Sequence, residues 1–361
     1  MKRMDFGSNQ LEGTIPPNWA NFSKLTNISL SFNKISGSIP TVDGMWPNLL
    51  EFDIEGNNIS GTIPEELYQM SKLDTLILAN NSLQGSLSDS IGNLGLLRGI
   101  FDVSSNFLDG TIPKVLASLS AVTSIYLDDN LFSGELPCGF AAMSLSVLNI
   151  SANNFYTTLP ECYLDSTSNI VMLYATYANL TGPLPEPATM SSKLTTLALS
   201  GNPTEGTLPA SWANATKLKI MQMNRMELSG TIPVSYNNYI IKTFSVVDNY
   251  LTGEIPYKMF EYGNIYLNGN IGLTGCYGWY YNVYEGSIYC EAYNTSLCCI
   301  SGGYCCDGIP GCWPNSKSCY LPPTTPSPPP PAPLLEDAAP SISGPTVVVA
   351  SLAALSIFMT M

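Results

Sequence analysis

The chain has 361 residues, 45% of them apolar and only 12% charged, with a formal charge of -14. A surface that acidic repels nucleic-acid phosphates and anionic headgroups, so no nucleic-acid partner is expected. Histidine is absent, which removes Ser-His-Asp and Cys-His hydrolases, HExxH metalloproteases and histidine general bases together.

From the first residues onward one tetrapeptide recurs, G-x-[I/L]-P. It starts at Gly13, Gly37, Gly61, Gly110, Gly134, Gly182, Gly206, Gly230 and Gly253, with a degenerate copy at Gly85 and another where Thr157 replaces the glycine. Four residues before the glycine stands an asparagine, as at Asn33, Asn57, Asn81 and Asn202. Apolar residues lie three, five and eight positions before it, as in Leu25, Ile28 and Leu30 or Leu73, Leu76 and Leu78. A fixed step near 24 residues marks a solenoid. The L-x-L segment alternates and reads as a short strand with its leucines inward. The asparagine amide can satisfy backbone groups that lack strand partners, the glycine permits a bend, and the proline opens an irregular or short helical return limb. Where Ala178 and Met226 replace the asparagine and Ser88 the proline, weaker local turns are expected.

Counting back from Asn9 puts Phe6, Met4 and Met1 on core positions of a coil. The sequence thus begins inside a repeat, with no apolar leader and no capping coil, and reads as a fragment or a late translational start.

Cys138 and Cys162 fall one repeat apart, and stacked coils would bring their Cα atoms about 5 Å apart, within disulfide range. The other eight cysteines, Cys276, Cys290, Cys298, Cys299, Cys305, Cys306, Cys312 and Cys319, form a dense module over residues 276–319. That module reads as a disulfide framework capping the solenoid of residues 1–275, with a thiolate metal cluster as the alternative. Its pairing is open. Residues 320–340 form a proline-rich stalk. Residues 341–361 end in an apolar run with no basic residue after it. Small residues precede that run. The combination fits a glycosylphosphatidylinositol signal, with attachment candidates Asp337, Ala338, Ser341 and Ser343, and a short transmembrane anchor as the alternative.

Asn-x-Ser/Thr sequons begin at Asn21, Asn27, Asn58, Asn80, Asn149, Asn179, Asn214 and Asn294. With the clustered cysteines they point to the secretory pathway. Ligand contacts are expected at the exposed strand positions, six, four and two residues before the asparagine. These are Glu51, Asp53, Glu55, Asp102, Tyr126, Asp128 and Tyr174, with Tyr177 adjacent. Carboxylates suit basic ligand groups, or a cation if they converge, and exposed aromatics suit a peptide or glycan. Asn27 and Asn149 also fall on concave positions, where glycans would obstruct part of the sheet.

The unit L-x-x-L-x-L-x-x-N-x-[L/I/F]-x-G-x-[I/L]-P resembles the leucine-rich repeat in its plant-receptor variant. The order of repeats, cysteine module, proline stalk and apolar tail resembles the promastigote surface antigens of kinetoplastid protists. The resemblance implies an α/β solenoid with a parallel sheet on the concave face and a small disulfide-rich C-terminal module. It further implies a role at the cell surface, in adhesion or contact with host or environment, as a glycoprotein binding an extracellular protein, peptide or glycan. A continuous shallow sheet implies no pocket, so neither an enzyme nor a cofactor or metal is expected, although clustered Glu51, Asp53 and Asp102 could in principle do glycosidase-like work. A co-receptor signalling through a transmembrane partner is the alternative.

Overall fold

The computed structural model describes residues 1–278, except 239, 257, 258 and 260–262, together with the strand Ser296–Ile300. Asn294, Cys290, Cys305, Cys306, Cys312 and Cys319 lie outside the described residues, as do Asp337, Ala338, Ser341 and Ser343, the stalk and the apolar tail.

Each repeat is one coil. It contributes one three-residue strand to a parallel sheet, in the order Arg3–Asp5, Asn27–Ser29, Glu51–Asp53, Thr75–Ile77, Ile100–Asp102, Ser124–Tyr126, Val147–Asn149, Met172–Tyr174, Thr196–Ala198, Ile220–Gln222, Thr243–Ser245 and Asn264–Tyr266. Register is kept without slippage, so Ile28 pairs with Phe52, Phe52 with Leu76, and Ile125 with Leu148. The middle residue of each strand points inward; Ile28, Phe52, Leu76, Phe101, Ile125, Leu148, Leu173, Leu197 and Met221 are fully buried. One coil has no second layer of its own to cover these side chains. Burying one is worth about 1.5–3 kcal/mol, so stacking is what drives the fold.

The asparagines form a second ladder inside the core. Asn57 Nδ2 donates to Ile54 O in its own coil and to Leu30 O in the coil before, while Asn57 Oδ1 accepts from Ile35 N–H. Asn81, Asn106, Asn130 and Asn153 repeat this arrangement. Each amide therefore closes its own turn and ties it to its neighbour. Where the asparagine is missing, the turns are not left open. Asn202 Oδ1 accepts from both Ala178 N–H and Leu180 N–H, and the Ala178 carbonyl accepts from Phe155 N–H in place of a side-chain amide. Beside Met226, Thr204 N–H turns back to Asn202 O and its hydroxyl donates to Leu180 O. The expected weakness is thus met by backbone and hydroxyl partners. Ser88 likewise compensates for its missing proline by capping the 3-10 segment Asp89–Asn93 through Ser90 N–H.

The return limbs are short 3-10 turns such as Pro17–Asn21, Lys114–Ser118 and Ala210–Asn214. Aromatic side chains lock them to the preceding coil. Trp46 Nε1 donates to Trp19 O, Tyr163 Oη to Pro137 O, Trp212 Nε1 to Pro185 O and Tyr236 Oη to Pro209 O. Cys138 and Cys162 form a disulfide between neighbouring coils, with Cα atoms 5.8 Å apart.

Two further parallel sheets flank the solenoid and were not expected from the sequence. One joins Glu12–Thr14, Lys34–Gly37, Asn58–Gly61, Ser82–Ser86 and Phe107–Asp109. The other joins Glu205–Thr207, Glu227–Thr231, Tyr250–Glu254, Gly272–Gly278 and Ser296–Ile300, so it runs on past Gly275 and places Cys276 opposite Cys298 in register. Ser36, Ser60, Ser229 and Thr252 hydroxyls each donate to the bend-glycine carbonyl of the coil before.

At the first coil Met4 is buried, but Met1 and Phe6 are exposed rather than in the core. Phe6 instead packs its ring sideways against Trp19. In the Thr157 coil the positive φ moves to Tyr156, since threonine does not take the place of the glycine there.

The concave sheet as candidate ligand face

Residues on either side of each buried strand centre face the open side of the sheet, so the register lines them up in columns. One column runs Ser29, Asp53, Ile77, Asp102, Tyr126, Asn149, Tyr174, Ala198. Strands stand about 4.8 Å apart, so neighbours in a column are in contact range.

Asp53, Glu55, Asp102 and Asp128 lie along neighbouring coils, near enough for Asp102 to feel the Asp53 charge and for Glu55 and Asp128 to feel that of Asp102. Burial, then Asp102, then Asp53 raise the Glu55 pKa. Burial raises Asp102 as well, with the Asp53 charge adding to it and the Ser104 N–H and hydroxyl bonds opposing. Burial, followed by the Asp102 and Asp129 charges, pushes Asp128 up to about 7. Asp128 Oδ1 is also buried without a hydrogen-bond partner. The ion pairs among the described residues lie elsewhere: Arg3–Asp5, Lys34–Glu12, Arg98–Asp74, Lys114–Glu135 and Arg225–Asp248. No described lysine or arginine pairs with Asp53, Glu55, Asp102 or Asp128. Two members of the expected set are held by neighbours. Glu51 Oε2 accepts from Asn27 Nδ2 at 2.6 Å, and Asp53 accepts from the Ser29 hydroxyl and from Glu55 N–H.

Tyr126 stands between Asp102 and Asn149 in register, at the edge of the carboxyl group. Burial, then the Asp102 charge, raises its phenol pKa. Tyr174 lies one strand beyond Asn149, with its phenol also raised by burial and its hydroxyl near Met172 Sδ. Tyr177 does not belong to this group. It precedes a turn in the left-handed region, at φ 51°, and lies over Gly201, where a Cβ would run into its ring. Its phenol lies beside the Arg225 guanidinium, which pairs with Asp248. Sequence reasoning missed this Tyr177–Arg225–Asp248 group. The only available signal was that each residue directly precedes a ladder position or its substitute. The same left-handed site holds Phe32, exposed and lying over Gly56.

Of the expected glycan acceptors, Asn21, Asn58 and Asn214 are exposed. Asn27, Asn80, Asn149 and Asn179 are partly buried. Among the described residues no group of acidic, histidine or cysteine side chains is placed to hold a metal ion. No described helix is long and apolar enough to cross a membrane.

The leucine-rich-repeat family model matches residues 48–70 and 72–94. Combined with the stacked parallel strands and the asparagine ladder, that decides the fold. The chain is a leucine-rich-repeat protein. Comparison with curated protein sequences finds no match. Among solved structures the repeat protein is similar to a TDR receptor, at 30% identity and TM-score 0.66, over 76% of this chain and 52% of that one. It is similar to the PEPR1–AtPEP1 structure at 27% identity and TM-score 0.66, over 76% of this chain and 42% of that one. The Arabidopsis receptor kinase HAESA, solved with the peptide hormone IDA and the co-receptor SERK1, shares the fold at 22% identity and TM-score 0.59, over 84% of this chain and 59% of that one. The repeat protein thus spans roughly half the length of the receptor chains it resembles.

Proposed function

We propose that this repeat protein is an extracellular recognition protein whose concave face binds a protein or peptide ligand through a basic side chain. The observation that carries the reading is the Asp128 carboxyl, with one oxygen buried and unpartnered beside Asp102 and no described lysine or arginine paired with it. Like charges held together out of water are costly, and a ligand ammonium or guanidinium would relieve that cost. The likeness to a TDR receptor supports a receptor-like role.

The sequon density, the cysteine content and the apolar tail support a glycoprotein held at the cell surface, with a glycosylphosphatidylinositol anchor as the favoured attachment. Adhesion or environmental contact follows from that placement. Peptide and glycan arrays probed with the secreted protein test the reading. Capture concentrated on peptides bearing Arg or Lys supports it. Capture of neutral glycans alone, or of acidic peptides, contradicts it. Resistance of the cell-surface protein to phosphatidylinositol-specific phospholipase C would remove the lipid anchor and leave the binding proposal standing.

A further inference from the structure

Seven of the sequons lie in described residues, and the structure sorts them by face. Asn21 and Asn214 close equivalent 3-10 turns on the return limbs, Pro17–Asn21 and Ala210–Asn214. Asn58 opens a flanking strand, Asn80 precedes the buried rung Asn81 with its Nδ2 donating to Glu55 Oε1, and Asn179 follows a buried ladder position. Asn27 and Asn149 alone stand within strands of the concave sheet.

Their neighbours are compatible with a sugar. Asn27 Nδ2 commits one hydrogen to Glu51 Oε2, and Thr26 donates to its Oδ1, which leaves the second amide hydrogen. Asn149 uses Oδ1 to accept from Ser151 N–H, and its Nδ2 makes no hydrogen bond among the described residues. Four strands lie between the two acceptors: Glu51–Asp53, Thr75–Ile77, Ile100–Asp102 and Ser124–Tyr126. Five strand spacings of about 4.8 Å place the acceptors roughly 24 Å apart. Glu55, Asp102 and Asp128 all fall inside that interval. Beyond Asn149, from Met172–Tyr174 to Asn264–Tyr266, the concave strands hold no sequon asparagine.

We propose that Asn27 and Asn149 carry N-linked glycans, and that these divide the concave face into a closed acidic compartment and a second, glycan-free compartment. The proposal rests on the reading of the chain as a secreted protein. The modification transfers an oligosaccharide from a polyprenyl diphosphate donor: the Nδ2–C1 bond forms, the C1–O bond to the diphosphate breaks, the diphosphate leaves and the amide gives up one proton. A ligand of the acidic compartment then approaches along the normal to the sheet and covers no more than the strands between the two glycans. An extended chain running the length of the solenoid is excluded. Asn149 sits directly between Tyr126 and Tyr174 in register, so its glycan shields both rings.

The test is site-by-site glycan occupancy by mass spectrometry of the full chain secreted from a eukaryotic host. Asn27 and Asn149 are expected to be modified along with Asn21 and Asn214. Modification at Asn21 and Asn214 with bare Asn27 or Asn149 overturns the partition alone. A chain bare at every sequon overturns the partition and the secretory reading together. Hydroxyl-radical oxidation of Tyr126 and Tyr174 gives a second readout. It should rise several-fold in both Asn149→Gln and Ser151→Ala, and after enzymatic removal of glycans from the folded protein. Unchanged oxidation in all three overturns the shielding.

Discussion

Asp128 stands one coil along from Asp102, and burial together with the Asp102 charge pushes its carboxyl up to about 7. An unfolded aspartate titrates near ~3.9. The folded state therefore holds a proton that the unfolded state releases between these values, and stability falls as pH rises through the window from about 4 to 7. A shift of about three units sets an upper bound of roughly 4 kcal/mol on that loss. Asp128→Asn removes the titration. Urea unfolding at pH 7.5 should show the variant more stable than the parent, with the two converging near pH 4. A variant less stable than the parent at pH 7.5 would contradict the burial of an uncompensated charge.

The asparagine ladder predicts unequal costs for the same substitution. Asn202 accepts from two backbone N–H groups and donates to Ala175 O and Leu199 O, all buried. Asn202→Ala strands several buried groups at ~1–3 kcal/mol each, so it should be among the most damaging changes in the chain. Asn9, exposed and bonded only to Phe6 O and Gly7 O, should cost less than about 1 kcal/mol. Thermal unfolding of both variants checks the order.

The regular part of this structure was legible because it is enforced by a period. Leu73, Leu76 and Leu78 are core, and Asn81 is a ladder rung, because neither role tolerates much else. The flanking sheets were hidden in small residues: Ser36-Gly37-Ser38 reads as a bend, and its strand pairing becomes visible only when coils stack. The left-handed position before each rung was invisible for a different reason. It accepts Phe32, Asn80, Asp129, Tyr177 and Arg225 alike, so no residue type announces it. Of the expected ligand face, the positions were readable from alternation, but the electrostatics were not. Glu51 is occupied by Asn27, whereas Asp128 Oδ1 is buried without a partner beside Asp102, and both facts depend on neighbours 24 or more residues away.

Gly201 tests the left-handed turn and the Tyr177 stack together. It has φ +74°, and any Cβ would meet the Tyr177 ring; Gly44, at φ +66°, has open space around it. Gly44→Ala should cost about 1 kcal/mol from backbone conformation alone. Gly201→Ala should cost clearly more, and Tyr177→Ala in the same chain should recover the excess. Additive effects in that double-mutant cycle would show that the ring does not lie where the geometry puts it.

The Cys138–Cys162 bridge closes a 24-residue interval. Loop closure at this length is worth about 3 kcal/mol. Replacing both cysteines by serine should lower the melting temperature and speed amide exchange in the two bridged coils before it affects Glu12–Asp109. Exchange that rises evenly along the solenoid would mean the bridge is not a local tie.

The most direct test of the account is the affinity of a basic peptide, selected from a display library against the secreted protein, for the parent and for the Glu55→Gln, Asp102→Asn, Asp128→Asn triple variant at pH 7.5. The account predicts a loss of at least tenfold, about 1.4 kcal/mol, and a parallel loss in the parent as pH falls from 7.5 to 5 and Asp128 takes up its proton. Equal affinity for parent and variant, with no pH dependence, would contradict it.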